Sequence, residues 1–499
     1  MDKYILTKKP FLSILPGTPY DKVVTGKADP VFPRAFKGLY QVSEQIDFLR
    51  QYDIRGHIIN SPEYYPDRVK YNEEKDEYYK EYMFRAAFPF QKMILIQHLV
   101  HLCGNDLHHE LTGAHNTDSE NELFMRLRTG MLNDEFELAF YQLARGTKKT
   151  GDAAVCFFIK DKKVRWKAFA YDLGDTLFPH YGDDGELETF ARMYDTYDAK
   201  GEAVTTFVEV WDKTNMTRYR RDNNGIVGFV NDIKDYLGLD DFTIDMKPTP
   251  HGFKEVPIVY QRDDDGPCWH GSQDAIDKYE LAISNLCQNN MAYAFPIMVL
   301  NGDDIEIKAD MYGAVKAIDA GANGKASYLE PQGNIEAFKL QLEVLLKLIF
   351  QGSFAVLPPE VRSGDMPGVS IKLIYSPSID MAINDSKVYA PALDKMMRLY
   401  KWGLGIEIEK ARELSNLGTY SWIEPYVHQN MTELVNNLVQ LTNAGLLSHK
   451  TGCQLHGYGA NNEEDIIITE YKQQQASDLL YEMNKQPKDA DGDGILGEQ

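Results

Sequence analysis

NIEAFKLQLEVLLKLIFQG, residues 334–352, places an apolar side chain at every third or fourth position. This spacing is typical of an amphipathic α-helix that buries one face. A second apolar stripe on the same helix predicts burial on two sides, and at 1.5 Å per residue the helix forms a rod roughly 30 Å long. The first stripe is Ile335, Phe338, Leu342, Leu345 and Ile349, and the second is Leu340, Val344 and Leu348.

DAIDKYELAISNLCQNNMAYA, residues 274–294, has the same spacing and predicts a second rod of similar length. Two helices with apolar stripes on more than one side need partners beyond their own subunit, and a closed ring of identical chains supplies them. An ordinary helical hairpin in the core of a monomer is the alternative interpretation. The apolar positions of this rod are Ile276, Tyr279, Ile283, Leu286 and Tyr293.

The segments next to the two rods contain turn and loop signals. Residues 296–332 combine a short apolar strand, 297–300, with an Asn-Gly turn and a Gly/Ala-rich run, which predicts a small unit at the far end of the helix pair. VLPPEVRSGDMPGVS, residues 356–370, contains three prolines and two glycines and predicts a loop.

The remaining chain alternates between helical and strand-like patterns. Residues 153–260 contain apolar and aromatic runs separated by turn signals, which predicts a mostly β segment. Together with the flanking helices this predicts an α+β fold. Helices are expected at 74–103 with a kink at Pro89, and at 117–145, 369–379, 384–404, 411–417 and 429–444.

Length and charge limit the possible functions. The chain has 499 residues, 43% of them hydrophobic and 26% charged, which indicates a folded protein of about three domains or lobes. The 53 basic and 75 acidic residues give a net charge of −22. Proteins that grip nucleic acid by its phosphates carry a basic surface, so this class is disfavoured. The net charge remains compatible with a protein that contacts DNA without binding it tightly.

Five cysteines at wide spacing, with no CxxC pair, predict neither a disulfide framework nor a four-cysteine zinc site, and favour a reducing compartment. The first residues lack the long apolar segment of a signal peptide. No run approaches 18 apolar residues, so we expect no membrane partner.

The motif search gives no catalytic residues. The sequence contains no P-loop, no GxSxG elbow and no kinase signature, so we expect that the protein is not an enzyme and needs no cofactor. The alternative is a metal-dependent enzyme that uses His98 and His101, which lie three positions apart on a predicted helix.

The acidic end of the chain offers one further metal candidate. Asp489, Asp491 and Asp493 match the first ligand positions of a calcium-binding EF-hand loop, but residue 499 comes before the position of the bidentate glutamate. We therefore expect a solvated acidic tail. The alternative is a calcium-stabilised surface protein.

Five segments, in this order over about residues 75–470, resemble the portal proteins of tailed bacteriophages, in the subfamily typical of siphophages. At one point the chain departs from the family, with Met366-Pro367 where Ala-Ser is usual. The segments are KMILIQHLVHLCGNDL (92–107), AVCFFIKDKKVRWKAFAYDLGDTLFPHYGDDGEL (154–187), HGFKEVPIVYQRDDD (251–265), MPGVSIKLIYSPSIDMA (366–382) and NAGLLSHKTGCQL (443–455).

The resemblance implies a portal fold assembled as a ring, usually a dodecamer, with an α/β wing, a helical stem, a small α/β clip and an α-helical crown. By position, the expected regions are the wing at 1–272, with its β-rich part at 153–260, stem helices at 273–295 and 333–353, the clip at 296–332, the tunnel loop at 354–369, the tunnel-loop helix and return to the wing at 370–425, the crown at 426–485 and a flexible acidic tail at 486–499.

The resemblance also implies a function and partners. The ring would lie at the unique capsid vertex of the virion, after assembly in the host cytoplasm, and would serve as the channel for genome packaging and ejection. The implied partners are double-stranded DNA, the terminase large subunit, a head-completion adaptor, and the major capsid and scaffolding proteins. The DNA-facing residues would be Val361, Arg362, Ser363, Gly364, Asp365 and Met366.

Overall fold

The computed structural model describes most of the chain between residues 42 and 447. The described residues are 42–72, 76–113, 117–182, 184–197, 203–222, 243–263, 265–293, 298–301, 306–309, 315–319, 325–328, 335–357, 368–427, 431–447 and 472.

Helices and strands alternate along the chain, so the predicted α+β class is confirmed. The helices are α1 Val42–Tyr52, α2 Phe90–Cys103, α3 Asp118–Asn133, α4 Phe136–Thr150, α5 Gln273–Tyr293, α6 Ile335–Gly352, α7 Gly368–Ile374, α8 Ser376–Glu407, α9 Ala411–Asn416 and α10 Met431–Asn443. The strands are β1 Arg68–Asn72, β2 Glu77–Glu81, β3 His108–Leu111, β4 Asp152–Lys160, β5 Lys163–Ala170, β6 Asp175–Tyr181, β7 Leu187–Tyr197, β8 Ala203–Trp211, β9 Asn215–Asp222, β10 Thr243–Pro250, β11 Ile258–Arg262, β12 Met298–Asn301, β13 Glu306–Ala309, β14 Val315–Asp319, β15 Lys325–Tyr328 and β16 Thr419–Trp422.

The β segment predicted at 153–260 forms two antiparallel sheets. One has five strands in the order β10-β9-β8-β7-β6, and the other has three in the order β11-β4-β5. Within the larger sheet Phe190 is paired with Trp211, and both side chains are buried. Between α5 and α6 the described strands pair as β12 with β15 and β13 with β14, where the sequence predicted a small unit with one strand.

The chain divides into two compact units. The first comprises residues 1–357 and 375–426, and the second comprises 358–374 and 427–499. The main core of the first unit lies among α2, α4, α8 and the three-stranded sheet, with Ile94, Leu143, Val155 and Leu393 at its centre. Burial of such apolar surface is the main favourable term in folding.

In the second unit, the helix predicted at 429–444 is confirmed as α10. Leu438 is buried on one side of α10, whereas Val439 is exposed on another. Gly445 follows with φ of 70°, a left-handed conformation that glycine adopts without steric cost. This glycine follows the end of the helix at Asn443.

The helix predicted at 74–103 is wrong in its first half. Residues 68–72 and 77–81 instead pair as antiparallel strands, with the rings of Tyr71 and Tyr78 5.0 Å apart and Lys70 paired with Glu81 at 2.9 Å. Cross-strand pairs of this kind stabilise two paired strands relative to a helix in the same segment. The helix α2 starts only after Pro89, so this proline precedes the helix instead of kinking it.

Two further predictions of helix boundaries are corrected. The predicted helices 369–379 and 384–404 are instead α7 and the 32-residue α8, which continues through Pro391. The zone predicted at 117–145 is two helices, separated where Glu135 adopts a positive φ of 55°. Leu138, near the start of the second of these helices, is 40% exposed.

A buried cation joins three parts of the first unit. The Nζ atom of Lys148, on α4, lies 2.9 Å from Oδ1 of Asp385 on α8 and 3.2 Å from Oδ2 of Asp263, which precedes α5. Burial lowers the pKa of the Lys148 ammonium, but the two carboxylates outweigh this effect and the pKa is raised above its ordinary value. The charged form of Lys148 is therefore stabilised in place.

We expect Lys148→Met to lower the free energy of unfolding by about 3–5 kcal/mol, because it leaves two carboxylates without their buried cation. Lys387→Met, at an exposed position of α8, is the matched control and should change it by less than about 0.5 kcal/mol. Urea unfolding of both variants measures the difference. Equal stability of the two variants would contradict a structural role for Lys148.

Candidate functional site

The predicted site residues fall into two groups. The tunnel-loop residues Val361–Met366 and the calcium candidates Asp489, Asp491 and Asp493 lie outside the described residues. The predicted stem helices are present as α5 and α6. Ile335 is the first residue of α6, and its side chain lies outside the described residues.

The first apolar stripe of the two helices faces its own chain. Ile276 and Ile349 are fully buried in the main core, so no part of their surface is accessible to a second subunit. The remaining members of the stripe are partly buried, namely Tyr279, Ile283, Leu286, Phe338, Leu342 and Leu345.

The second apolar stripe, Leu340, Val344 and Leu348, is exposed. Their side chains are 60%, 45% and 49% exposed. They recur every four residues and therefore share one face of α6. Glu343 and Lys347, beside the stripe, are exposed as well. An ordered apolar row of this kind on a helix is typical of a surface that a partner covers.

The helix α5 is held along one side by an extended segment. The backbone N–H groups of Phe84, Ala86 and Phe88 donate to side chains on α5 at distances of 3.0, 2.9 and 2.8 Å. Every second residue of an extended chain and every fourth residue of a helix advance by similar distances, about 6 Å, so the two periods match. The acceptors are Gln288, Ser284 and Glu280, respectively.

Glu280 also lies in a buried pair. Its Oε1 atom is 2.7 Å from Nδ1 of His57, and both side chains are almost completely buried. Sequence reasoning missed this arrangement. The polar residues Glu280, Ser284 and Gln288, which recur every four positions, are the signal that could have indicated a polar side of the helix.

The residues that lead from α6 into the predicted tunnel loop are fixed by side chains of α2. Gln97 accepts from the N–H of Val356 at 2.6 Å and donates to its carbonyl oxygen at 3.1 Å. His98 Nε2 lies 2.7 Å from the carbonyl oxygen of Ser353. Phe354, which lies between Ser353 and Val356 in the chain, has a positive φ of 55°. Its carbonyl oxygen accepts a hydrogen bond from the Ser378 hydroxyl at 2.8 Å.

A third residue of α2 contacts two more positions. The ring of His101 lies 5.9 Å from the ring of Tyr375, which precedes α8. His101 Nδ1 is 2.8 Å from the carbonyl oxygen of Tyr426, and the Tyr426 N–H donates to the His101 carbonyl oxygen at 2.7 Å. Gly104 permits this approach, because a Cβ atom there would lie 2.8 Å from Cβ of Tyr426.

We call Gln97, His98 and His101 the α2 junction. Its contacts Ser353, Val356, Tyr375 and Tyr426 lie beside the three points at which the chain passes between its two units, after 357, before 375 and after 426. The α2 junction therefore contacts the residues of the first unit that lie next to each of these three points.

The α2 junction also accounts for the histidines of the metal-enzyme alternative. His98 and His101 each contact a backbone carbonyl group of a different segment, and neither is directed at a shared ligand. Within the described residues, no group of three or more His, Cys, Asp or Glu side chains is placed to hold a metal ion. No helix in this part of the chain is both long and apolar enough to cross a membrane.

The family described as "Phage portal protein, SPP1 Gp6-like" matches residues 50–478. Since this match covers most of the 499 residues, the chain belongs to that family. It is thus a portal protein of a phage-like particle, and the expected resemblance is confirmed.

The chain is also similar to other known proteins. The neck of an empty GTA particle is 12% identical, with a TM-score of 0.41, over 74% of this chain and 90% of that chain. The virion of a native gene transfer agent (GTA) particle is 11% identical, with a TM-score of 0.39, over 83% of this chain and 93% of that chain. A catalase-peroxidase of Saccharopolyspora erythraea is 30% identical over 110 residues, which span 21% of this chain but only 14% of that enzyme.

Burial lowers the pKa of His98 from 6.5 to about 4, with a smaller contribution from Lys148. Between these two values the unfolded chain takes up a proton that the folded chain excludes. We therefore expect the free energy of unfolding to fall by about 3 kcal/mol through His98 as the pH is lowered from 7 to 4.

His98→Gln keeps an N–H donor for Ser353 and removes the titration. Urea unfolding at pH 7 and pH 4 should show a smaller loss of stability in this variant than in the unmodified protein. Groups common to both proteins, such as His109, whose pKa burial also lowers to about 4, cancel in the comparison. An identical pH dependence of the two proteins would contradict a neutral, buried His98.

Proposed function

We propose that this portal protein forms a ring, of twelve subunits by family analogy, at the unique vertex of a capsid. The ring would be the channel for genome packaging and ejection. The single observation that supports a ring best is the exposed stripe Leu340, Val344 and Leu348 on α6, together with membership of the portal family. Each subunit would bury this stripe against the stem helices of its neighbour, a head-to-tail contact that closes after a fixed number of copies.

The regions of the ring follow from the positions of the elements. In this proposal the wing is 1–272 with part of 370–425, the stem is α5 and α6, the clip is 296–332, the tunnel loop is 354–369, and the crown is 426–485. The fully buried Ile276 and Ile349 attach the stem to the wing of the same chain, and the exposed stripe serves the neighbouring subunit.

The negative charge suits a channel through which DNA moves. Twelve copies would carry 12 × −22 = −264 charges. An acidic surface repels the phosphate backbone and prevents the counterion release that makes basic proteins hold DNA. DNA would therefore slide through the ring without being retained by its wall.

The tunnel loop is the proposed point of contact with DNA. Glu360, Arg362 and Asp365 leave this segment near neutral, and prolines at 358, 359 and 367 limit its conformations. A constrained, near-neutral loop would touch DNA through Val361–Met366 without strong binding.

The partners of the ring are proposed from the family alone. The clip would bind the terminase large subunit during packaging and a head-completion adaptor afterwards, and the ring would contact the major capsid and scaffolding proteins. ATP hydrolysis would belong to the terminase. The protein would assemble in the host cytoplasm and remain in the virion.

The ring is tested by native mass spectrometry. We expect a particle of about 680 kDa for twelve copies of 56.9 kDa. Val344→Glu should reduce the particle to monomers or small oligomers, because it buries a carboxylate in an apolar contact. Lys347→Glu, one turn along at an exposed position beside the stripe, should leave the ring intact. A full ring of Val344→Glu would refute this interface.

The role of the loop is tested by deletion of residues 361–366. We expect particles that retain less DNA after packaging, since the contact with the DNA is lost. Deletion of the last six residues, 494–499, controls for the loss of the same length of chain. Measurement of packaged DNA length by pulsed-field electrophoresis decides, and unchanged length and retention would rule out the role of the loop.

A further inference from the structure

We propose that Gln97 and His101 are positioning residues that couple the tunnel loop to the C-terminal segment after Tyr426. Because they share one helical turn, release of one end of the loop would weaken the contact with Tyr426. The consequence for DNA rests on the proposed function of the loop, but the coupling itself can be measured without DNA.

The first step of the coupling is the pair of hydrogen bonds between Gln97 and Val356. Val356 is the second-last residue of the first unit before the chain passes to 358–374. Since Gln97 binds both the N–H and the carbonyl group of this one residue, at 2.6 and 3.1 Å, Val356 cannot rotate without breaking a contact with α2.

The second step is the helix itself. In an α-helix the N–H of residue i donates to the carbonyl oxygen of residue i−4, so the backbone of His101 is tied to that of Gln97. His98, between them, is buried and contacts Ser353. A displacement of Val356 therefore acts on the same turn of α2 that carries His101.

The third step is the contact of His101 with Tyr375 and Tyr426. The ring of His101 lies against Tyr375, where the chain returns from 358–374. Its Nδ1 atom and its backbone carbonyl oxygen each contact Tyr426, the last residue of the first unit before the C-terminal segment. The start of the loop, the residue that follows α7 and the start of the C-terminal segment are thus all in contact with one helix.

The test is hydrogen–deuterium exchange of the assembled protein, followed in peptides that cover 353–357 and 424–427. For Gln97→Ala we expect exchange to become about tenfold faster at 353–357, where two hydrogen bonds are lost, and several-fold faster at 424–427. Exchange in β7, around the buried Ala191, should stay unchanged, because Ala191 packs in a hydrophobic cluster separate from that of α2.

Two further variants make the test specific. Gln91→Ala changes the same residue type on the same helix, but Gln91 bonds to Gln273 and not to a passage between the units, so it should not speed exchange at 424–427. Gln97→Glu keeps the acceptor for the Val356 N–H and loses the donor, so its effect should be intermediate. This variant serves as the main test if Gln97→Ala does not fold.

Faster exchange at 353–357 with unchanged exchange at 424–427 would overturn the coupling, and so would equal acceleration in β7, which indicates global loosening. Confirmed coupling combined with normal DNA retention in Gln97→Ala particles would instead contradict the proposed role of the loop. The two proposals therefore fail on different measurements.

Discussion

The structure of the first unit depends on one constraint, which is that polar groups buried among apolar side chains must find hydrogen-bond partners. Helix α2 is apolar on nearly all sides and packs in the main core, yet it carries Gln97, His98 and His101. Their partners are backbone groups of distant segments, which are thereby fixed on a single helical turn. Helix α5 follows the same rule, because Glu280, Ser284 and Gln288 accept hydrogen bonds from an extended segment that would otherwise have unpaired N–H groups.

Sequence periodicity predicted the helices because apolar spacing reflects burial directly. The two rods and the β segment were found from such apolar patterns. The paired strands at 68–72 and 77–81 were missed because their charged, tyrosine-rich sequence has no clear apolar periodicity. Cross-strand pairs such as Tyr71 with Tyr78 depend on how the two strands align, which the sequence does not indicate. Sequence alone also left His98 and His101 as metal candidates. Their carbonyl partners, Ser353 and Tyr426, lie more than 250 residues away, and no local pattern indicates them.

The two stripes of α6 show why amphipathic spacing alone did not separate internal packing from assembly. Both stripes have the same period, and both consist of large aliphatic or aromatic residues. Only the fold distinguishes them, because it buries Ile349 within the chain and leaves Leu340 and Leu348 about half exposed. The first stripe packs within the subunit, as the hairpin alternative expects. The second stripe is exposed, and we assign it to the neighbouring subunit of the proposed ring.

The contacts of α2 mark where the frame of the first unit ends on either side of residues 358–374. They fix Val356 before this segment and contact Tyr375 after it. Phe354, in a left-handed conformation, is retained there because Ser378 and the neighbouring contacts of Gln97 and His98 hold it on both sides. A strained residue persists only where the surrounding contacts over-determine it. The left-handed conformation of Phe354 is therefore itself a sign that the α2 junction holds residues 353–356 in place.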